Sequence, residues 1–111
     1  FMVLLESNLK QNFGENNCTI EYDETAVTIN LWADNIALGT VAAAAGDAEA
    51  IQAWNYMVDS QKTLCDSIVN ELKEIGIENY PVMLNVLNEL DKTKTLLTVL
   101  NGNVVYDAVN S

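Results

Sequence analysis

Residues 47–76 read DAEAIQAWNYMVDSQKTLCDSIVNELKEIG, and this stretch decides the fold. Asp47 is a good N-cap and Gly76 a good helix stop, so the pattern predicts one long helix over Ala48 to Ile75. Ile51, Trp54, Val58, Cys65, Ile68, Leu72 and Ile75 fall on one stripe, with Gln61 its single polar member. Asp59, Lys62, Asp66 and Lys73 lie off the stripe, where Lys62 can pair with either Asp. A helix with one apolar face needs a second layer to bury it.

The flanking sequence supplies that layer. Downstream, Pro81 opens the strand-like run Val82 to Asn88, Glu89 to Lys94 reads as a polar connection, and Thr95–Leu100 and Asn103–Ala108 flank Asn101-Gly102. That dipeptide is a strong hairpin signal, because both residues tolerate the positive φ angles a tight hairpin turn requires. Upstream, Cys18–Tyr22 and Ala26–Trp32 alternate around an Asp23-Glu24-Thr25 turn. Ile20 and Tyr22 would share the inner face with Val27, Ile29 and Leu31, leaving Glu21, Thr28 and Asn30 to water. Asp34-Asn35 would cap a short Ala-rich helix, Ile36 to Ala45, broken at Gly46, whose small residues allow close packing. Phe1 to Phe13 reads as a further short helix, with Leu5, Leu9 and Phe13 at helical spacing and Gly14 as its stop.

The expected fold class is therefore α+β. It has an antiparallel sheet of about five strands, with one long and two short helices packed on one face, in the order α-β-β-α-α-β-β-β. Residues 1–111 form one domain, since a chain of 111 residues has room for one core. A weak internal echo pairs Leu9-Lys10 and Glu15-Asn16 with Leu72-Lys73 and Glu78-Asn79, as a degenerate duplicated helix-plus-strands unit would.

Composition narrows the chemistry. The chain has no histidine, and its five basic residues, all lysine, stand against sixteen carboxylates for a net charge of −11. The usual general base, the usual transition-metal ligand and the forked guanidinium donor are thus absent. The charge repels nucleic acid and anionic membranes. No run approaches the roughly 20 apolar residues that span a bilayer. Phe1–Leu5 has no basic leader of a signal peptide, and a chain beginning with Phe reads as trimmed.

Candidate sites are few. Cys18 and Cys65 lack metal-ligand spacing; they would form a disulfide in an exported protein, and otherwise read as buried thiols, the favoured reading. The carboxylates Glu21, Asp23 and Glu24, and Glu89 and Asp91, cluster at turns, where solvation leaves nothing to raise a carboxyl pKa. No calcium loop, nucleophile elbow or phosphate-binding glycine loop occurs, so no catalytic residue, metal or cofactor is expected. Asn17-Cys18-Thr19 fits a glycosylation sequon. Trp54 lies on the core stripe, whereas Trp32 faces away from Leu31 and is the aromatic best placed at a binding surface. Met83, Leu87, Leu96 and Leu100 would point away from the helices and make the outer sheet face apolar. Either that face is an interface, with Trp32 beside it, or the strand phase is offset by one.

Leu72-Lys73-Glu74-Ile75-Gly76, then Pro81 to Leu87 and Leu97 to Tyr106, resemble small domains of unknown function in secreted or lipid-anchored proteins of Gram-positive gut bacteria. The resemblance covers the C-terminal half. It implies an extracellular or cell-surface setting and brings no catalytic residues. If duplicated, the helix-then-strands order is also similar in outline to the β-lactamase inhibitor protein fold. The expected function is a non-catalytic interaction or assembly module, binding a protein partner or forming a homodimer through its sheet face. No nucleic acid, membrane insertion or small-molecule substrate is expected. The alternative is an acidic inhibitor or DNA mimic that blocks a basic site on a partner.

Overall fold

The computed structural model describes residues 18–32 and 35–110. The expected helix over Phe1 to Phe13, and with it the first half of the internal echo, lies outside the described residues. The strands are β1 (Cys18–Tyr22), β2 (Val27–Leu31), β3 (Val82–Asn88), β4 (Asp91–Leu100) and β5 (Asn103–Asp107). Between β2 and β3 run helices α1 (Ile36–Ala44) and α2 (Ala48–Glu74).

The five strands form one sheet in sequential order, β1-β2-β3-β4-β5. The expectation of a wholly antiparallel sheet is corrected: β2 and β3 are parallel, with Val27 beside Val82 and Leu31 beside Val86. The cause is the connection between them. A parallel neighbour needs a crossover that returns the chain to the end where the first strand began. The 27 residues of α2 span about 40 Å, ample for that return. The other three pairings are antiparallel.

The alternation read from the sequence places the core. Val27, Ile29 and Leu31 meet Val82, Leu84 and Val86 across the parallel pair, and Val86 and Leu84 meet Leu97 and Val99. All are buried, and Trp54, Val58, Cys65, Ile68 and Leu72 of α2 cover them. Gln61 is buried in the same stripe, its Oε1 accepting no hydrogen bond among the described residues. Ile75 lies just past the helix end and is exposed. Cys18 and Cys65 are both buried, as favoured.

The helix ends follow from local chemistry. Asp47 accepts a hydrogen bond from the Ala50 N–H at 3.0 Å. At the far end the N–H groups of Gly76 and Ile77 bond back to the carbonyls of Lys73 and Leu72, a pattern that needs the positive φ of Gly76. The Asn101-Gly102 hairpin is pinned to α2 as well as to β3. The Asn101 side chain accepts from the Val82 N–H at 2.8 Å, and the Gly102 N–H donates to the Cys65 sulfur at 3.3 Å. With φ at +88° a side chain at 102 would be strained, and its Cβ would also displace the Asp66 carboxylate, so glycine suits this position.

A second correction concerns β4, which begins at Asp91 rather than Thr95. The Asn88 side chain accepts from the N–H groups of Leu90 and Asp91, tightening the expected long connection to a short turn. Register shifts on either side of Leu87 leave Leu96 between the pairs Val86–Leu97 and Leu87–Thr95. Leu96 and Leu97 stand side by side where strict alternation would put them on opposite faces, and both are buried.

Candidate interaction surfaces

Two surfaces stand out, one on each layer. On the outer sheet face the register aligns Thr19, Asn30, Asn85 and Thr98 in one row across β1 to β4, with Tyr106 of β5 next to Thr98. Their side chains bond in series. Asn30 Nδ2 donates to Thr19 Oγ1 at 3.3 Å, Asn85 Nδ2 to Asn30 Oδ1 at 3.1 Å, and Thr98 Oγ1 to Asn85 Oδ1 at 2.7 Å. This polar ladder went unrecognised in the sequence, because Asn is depleted in strand interiors and its partners become visible only with the register.

The ladder divides the apolar residues expected on that face. Met83 and Leu100 are paired on one side of it, and Leu87, beside Thr95, lies on the other; all three are half-buried. Trp32 is half-buried beyond β2, with the Lys92 ammonium 4.2 Å from its ring centroid, a cation–π contact. Leu96 is not on the surface: the bulge turns it into the core, where it is 8 % exposed. The phase of β3 is thus as expected, and the one displaced residue is local to the bulge.

The second surface is α1. Ile36 to Ala44 contain no charged residue, and the helix is apolar all round. Ala37, Thr40 and Ala43 are buried against the rest of the fold, and the Thr40 hydroxyl is satisfied by the Ile36 carbonyl at 2.7 Å. On the opposite side Leu38 and Val41, one turn apart, are 70 % and 66 % exposed. Leu90 in the β3–β4 turn is 83 % exposed and lines a depression with Asn35, Leu38 and Glu89. Between the helices a groove of about 210 Å³ is lined by Asn35, Ile36, Gly39, Ala50, Ala53, Trp54 and Met57.

Glu89 fixes where α1 begins. It is half-buried rather than a solvated turn residue as expected, and its two oxygens accept from the N–H groups of Ile36 and Ala37 at 2.8 and 2.9 Å. Asn35 stands at the N-cap with φ at +65° and makes no side-chain cap. A carboxylate on another element therefore satisfies two of the orphan donors of this helix.

Other titratable groups are held by local bonds. The Thr25 hydroxyl and N–H, with the Ala26 N–H, hold Asp23 below the usual carboxylate range, and Thr93 does the same for Asp91. For Asp107 burial opposes ionisation. Bonds from the Asn110 side chain, the N–H groups of Asn110 and Val109 and the Trp54 indole outweigh it, so its pKa is lowered. Burial pushes the Cys65 thiol up, away from the thiolate a nucleophile requires. Burial also raises the Tyr80 hydroxyl, which is shared between the carbonyls of Asp23 and Ala26 at 2.7 Å. Among the described residues no cluster of His, Cys, Asp or Glu suited to a metal ion forms, and no helix is long and apolar enough to cross a membrane. No protein-family model matches the chain, and comparisons with curated proteins and with solved structures give no match.

Proposed function

We propose that this protein is a non-catalytic interaction module that docks a partner protein on the exposed face of α1 and the adjoining β3–β4 turn. One observation carries the reading: a helix apolar on every side presents Leu38 and Val41 to solvent, with Leu90 beside them. Helices of that composition are ordinarily covered all round. An exposed apolar patch next to polar neighbours is the usual mark of a protein–protein surface.

The outer sheet face supports this role less well. Its central row already satisfies its own hydrogen bonds, and the apolar residues left on either side are half-buried. The absence of histidine and arginine from the sequence, the lowered carboxylates and the raised Cys65 thiol support a non-catalytic role, because general acids and nucleophiles need the opposite shifts.

The test places a photo-crosslinking residue at position 38 in one variant and at position 87 in another, in cells of the native host. The expected result is a discrete protein adduct from position 38 and none from position 87. Adducts from 87 alone would move the docking surface to the sheet, and adducts from neither would remove the reading altogether.

A further inference from the structure

We infer that the partner docking on α1 is a cationic amphipathic segment that seats one apolar side chain between α1 and α2, and not a second copy of this chain. The inference rests on the docking role proposed above and names its partner by charge and by shape.

Charge gives the first argument. From Asn35 to Gln61 the sequence contains no lysine or arginine, while Asp47, Glu49 and Asp59 fall within that span. The α1 patch is uncharged, but carboxylates flank it at both ends. Glu89 binds the N-terminal end of α1, and Asp47 follows its C-terminal end and caps α2. Helix dipoles offset roughly half a charge at each of these two caps, and Glu49 adds its own in the first turn of α2. A second copy would bring this acidic rim against itself, on chains that each carry a net charge of −11. At physiological salt charges beyond about 8 Å are screened, but those at a shared rim are not. A segment carrying lysine or arginine beside its apolar residues meets the same rim with attraction.

Shape gives the second. The groove of about 210 Å³ is smaller than the roughly 300–1,000 Å³ usual for small-molecule sites, and suits one bulky side chain. Small residues hold it open: Gly39, Ala50 and Ala53 line it, and the space around Gly39 is empty. Trp54 and the flexible Met57 thioether supply apolar contact that adapts to the incoming group. Glu49 and Tyr56 share a helix face with Ala53, and Tyr56 is 77 % exposed. The Glu49 carboxylate and the open Tyr56 ring, on the α2 face next to Ala53, are two receptors for a cation. Together these features fit an amphipathic helix laid along a groove.

The probe is a synthetic Leu/Lys amphipathic helical peptide, with its Leu/Glu counterpart as control, titrated by fluorescence anisotropy at physiological salt. Light scattering on the protein alone reports its mass. The expected result is a monomer that binds the Leu/Lys peptide and not the Leu/Glu one. Leu38→Asp/Val41→Asp weakens binding roughly tenfold or more, although it makes the protein more acidic. Ala53→Leu, which fills the groove at an exposed wall, weakens binding in the same direction and covers the case where the double variant folds poorly. Binding that strengthens or holds steady in both variants would show attraction without docking, and would overturn both the inference and the role assigned to α1. A salt-stable dimer dissolved by Leu38→Asp/Val41→Asp would overturn the cationic partner but leave α1 as the docking surface.

Discussion

The two helices pack against each other, and α2 against the sheet, yet they are built by different means. α2 contains what it needs: an Asp47 cap that bonds its own first turn, one apolar stripe, charged residues on the far side and a glycine stop. α1 contains a stop at Gly46 but no charge and no polar face, and its first turn is completed by Glu89, distant in sequence. A helix with one apolar stripe is finished when that stripe meets the sheet. A helix apolar all round still has a side uncovered after it has packed, and among the described residues that side is Leu38 and Val41. Local amphipathicity thus marks the structural helix, and its absence marks the helix assigned a docking role.

The sharpest way to break this contrast is to truncate one side chain from each helix. Ile68 of α2 is 2 % exposed and packs in the core, so Ile68→Ala removes buried apolar surface and leaves a cavity. The expected cost is about 2–5 kcal/mol, read as a lower midpoint in urea unfolding with little change in slope. A cost under about 1 kcal/mol would mean that α2 is not the element that closes the core.

The caps provide the next test. Glu89→Ala leaves two backbone donors of α1 without their acceptor in a partly buried setting, and should cost about 1–2 kcal/mol. Asp47→Ala removes one exposed cap bond and should cost about 1 kcal/mol or less. Amide exchange separates them: Glu89→Ala should speed exchange along α1, and Asp47→Ala only in the first turn of α2. Equal effects on both helices would show that they unfold as one unit.

This difference also explains what the sequence made legible. The α2 stripe as far as Leu72, the Asn101-Gly102 turn and the inward phase of β2 and β3 are local patterns, legible from neighbouring residues alone. Ile75 falls outside the stripe because the helix stops at Glu74. What escaped depended on residues far apart in the chain. The parallel β2–β3 pairing depends on where α2 delivers the chain. The Asn30–Asn85–Thr98 ladder needs three strands in register, and the Leu96 bulge needs the β3 partner. Glu89 read as a solvated turn carboxylate because nothing near it in sequence shows that an uncapped helix lies within reach. The α1 surface was half legible: its small-residue composition was plain, but only the fold shows which side stays open.

Asp107 sharpens the comparison, since α2 also receives a carboxylate from the sheet, but at a side chain rather than at its backbone. Trp54 Nε1 donates to Asp107 Oδ1 at 3.0 Å. The folded protein holds the Asp107 pKa below its ordinary value, so ionised Asp107 stabilises the fold above the unfolded pKa. That contribution is lost as pH falls through the lowered folded value, in the acid range below the usual carboxylate pKa of 3.8. In acid unfolding followed by tryptophan fluorescence, Asp107→Asn should flatten this part of the stability loss while leaving an acceptor for the indole. The effect should be smaller than that of Glu89→Ala. A variant whose acid limb overlays the wild type would show that Asp107 titrates alike in both states.

The smallest expected change is the most telling for α1. Leu38→Ser alters a side chain that is 70 % exposed on a face that the described residues do not cover, so unfolding stability should move by less than about 0.5 kcal/mol in either direction. In an amphipathic helix such insensitivity would be unremarkable, because a polar residue belongs on the open side. In α1 it would mean that folding of the described residues gains almost nothing from this leucine, as expected of a side chain presented to another molecule. Should Leu38→Ser instead approach the cost of Ile68→Ala in the same urea titration, Leu38 would be covered within the folded chain. The contrast between a helix finished by the fold and one left open would then collapse, together with the docking surface built on it.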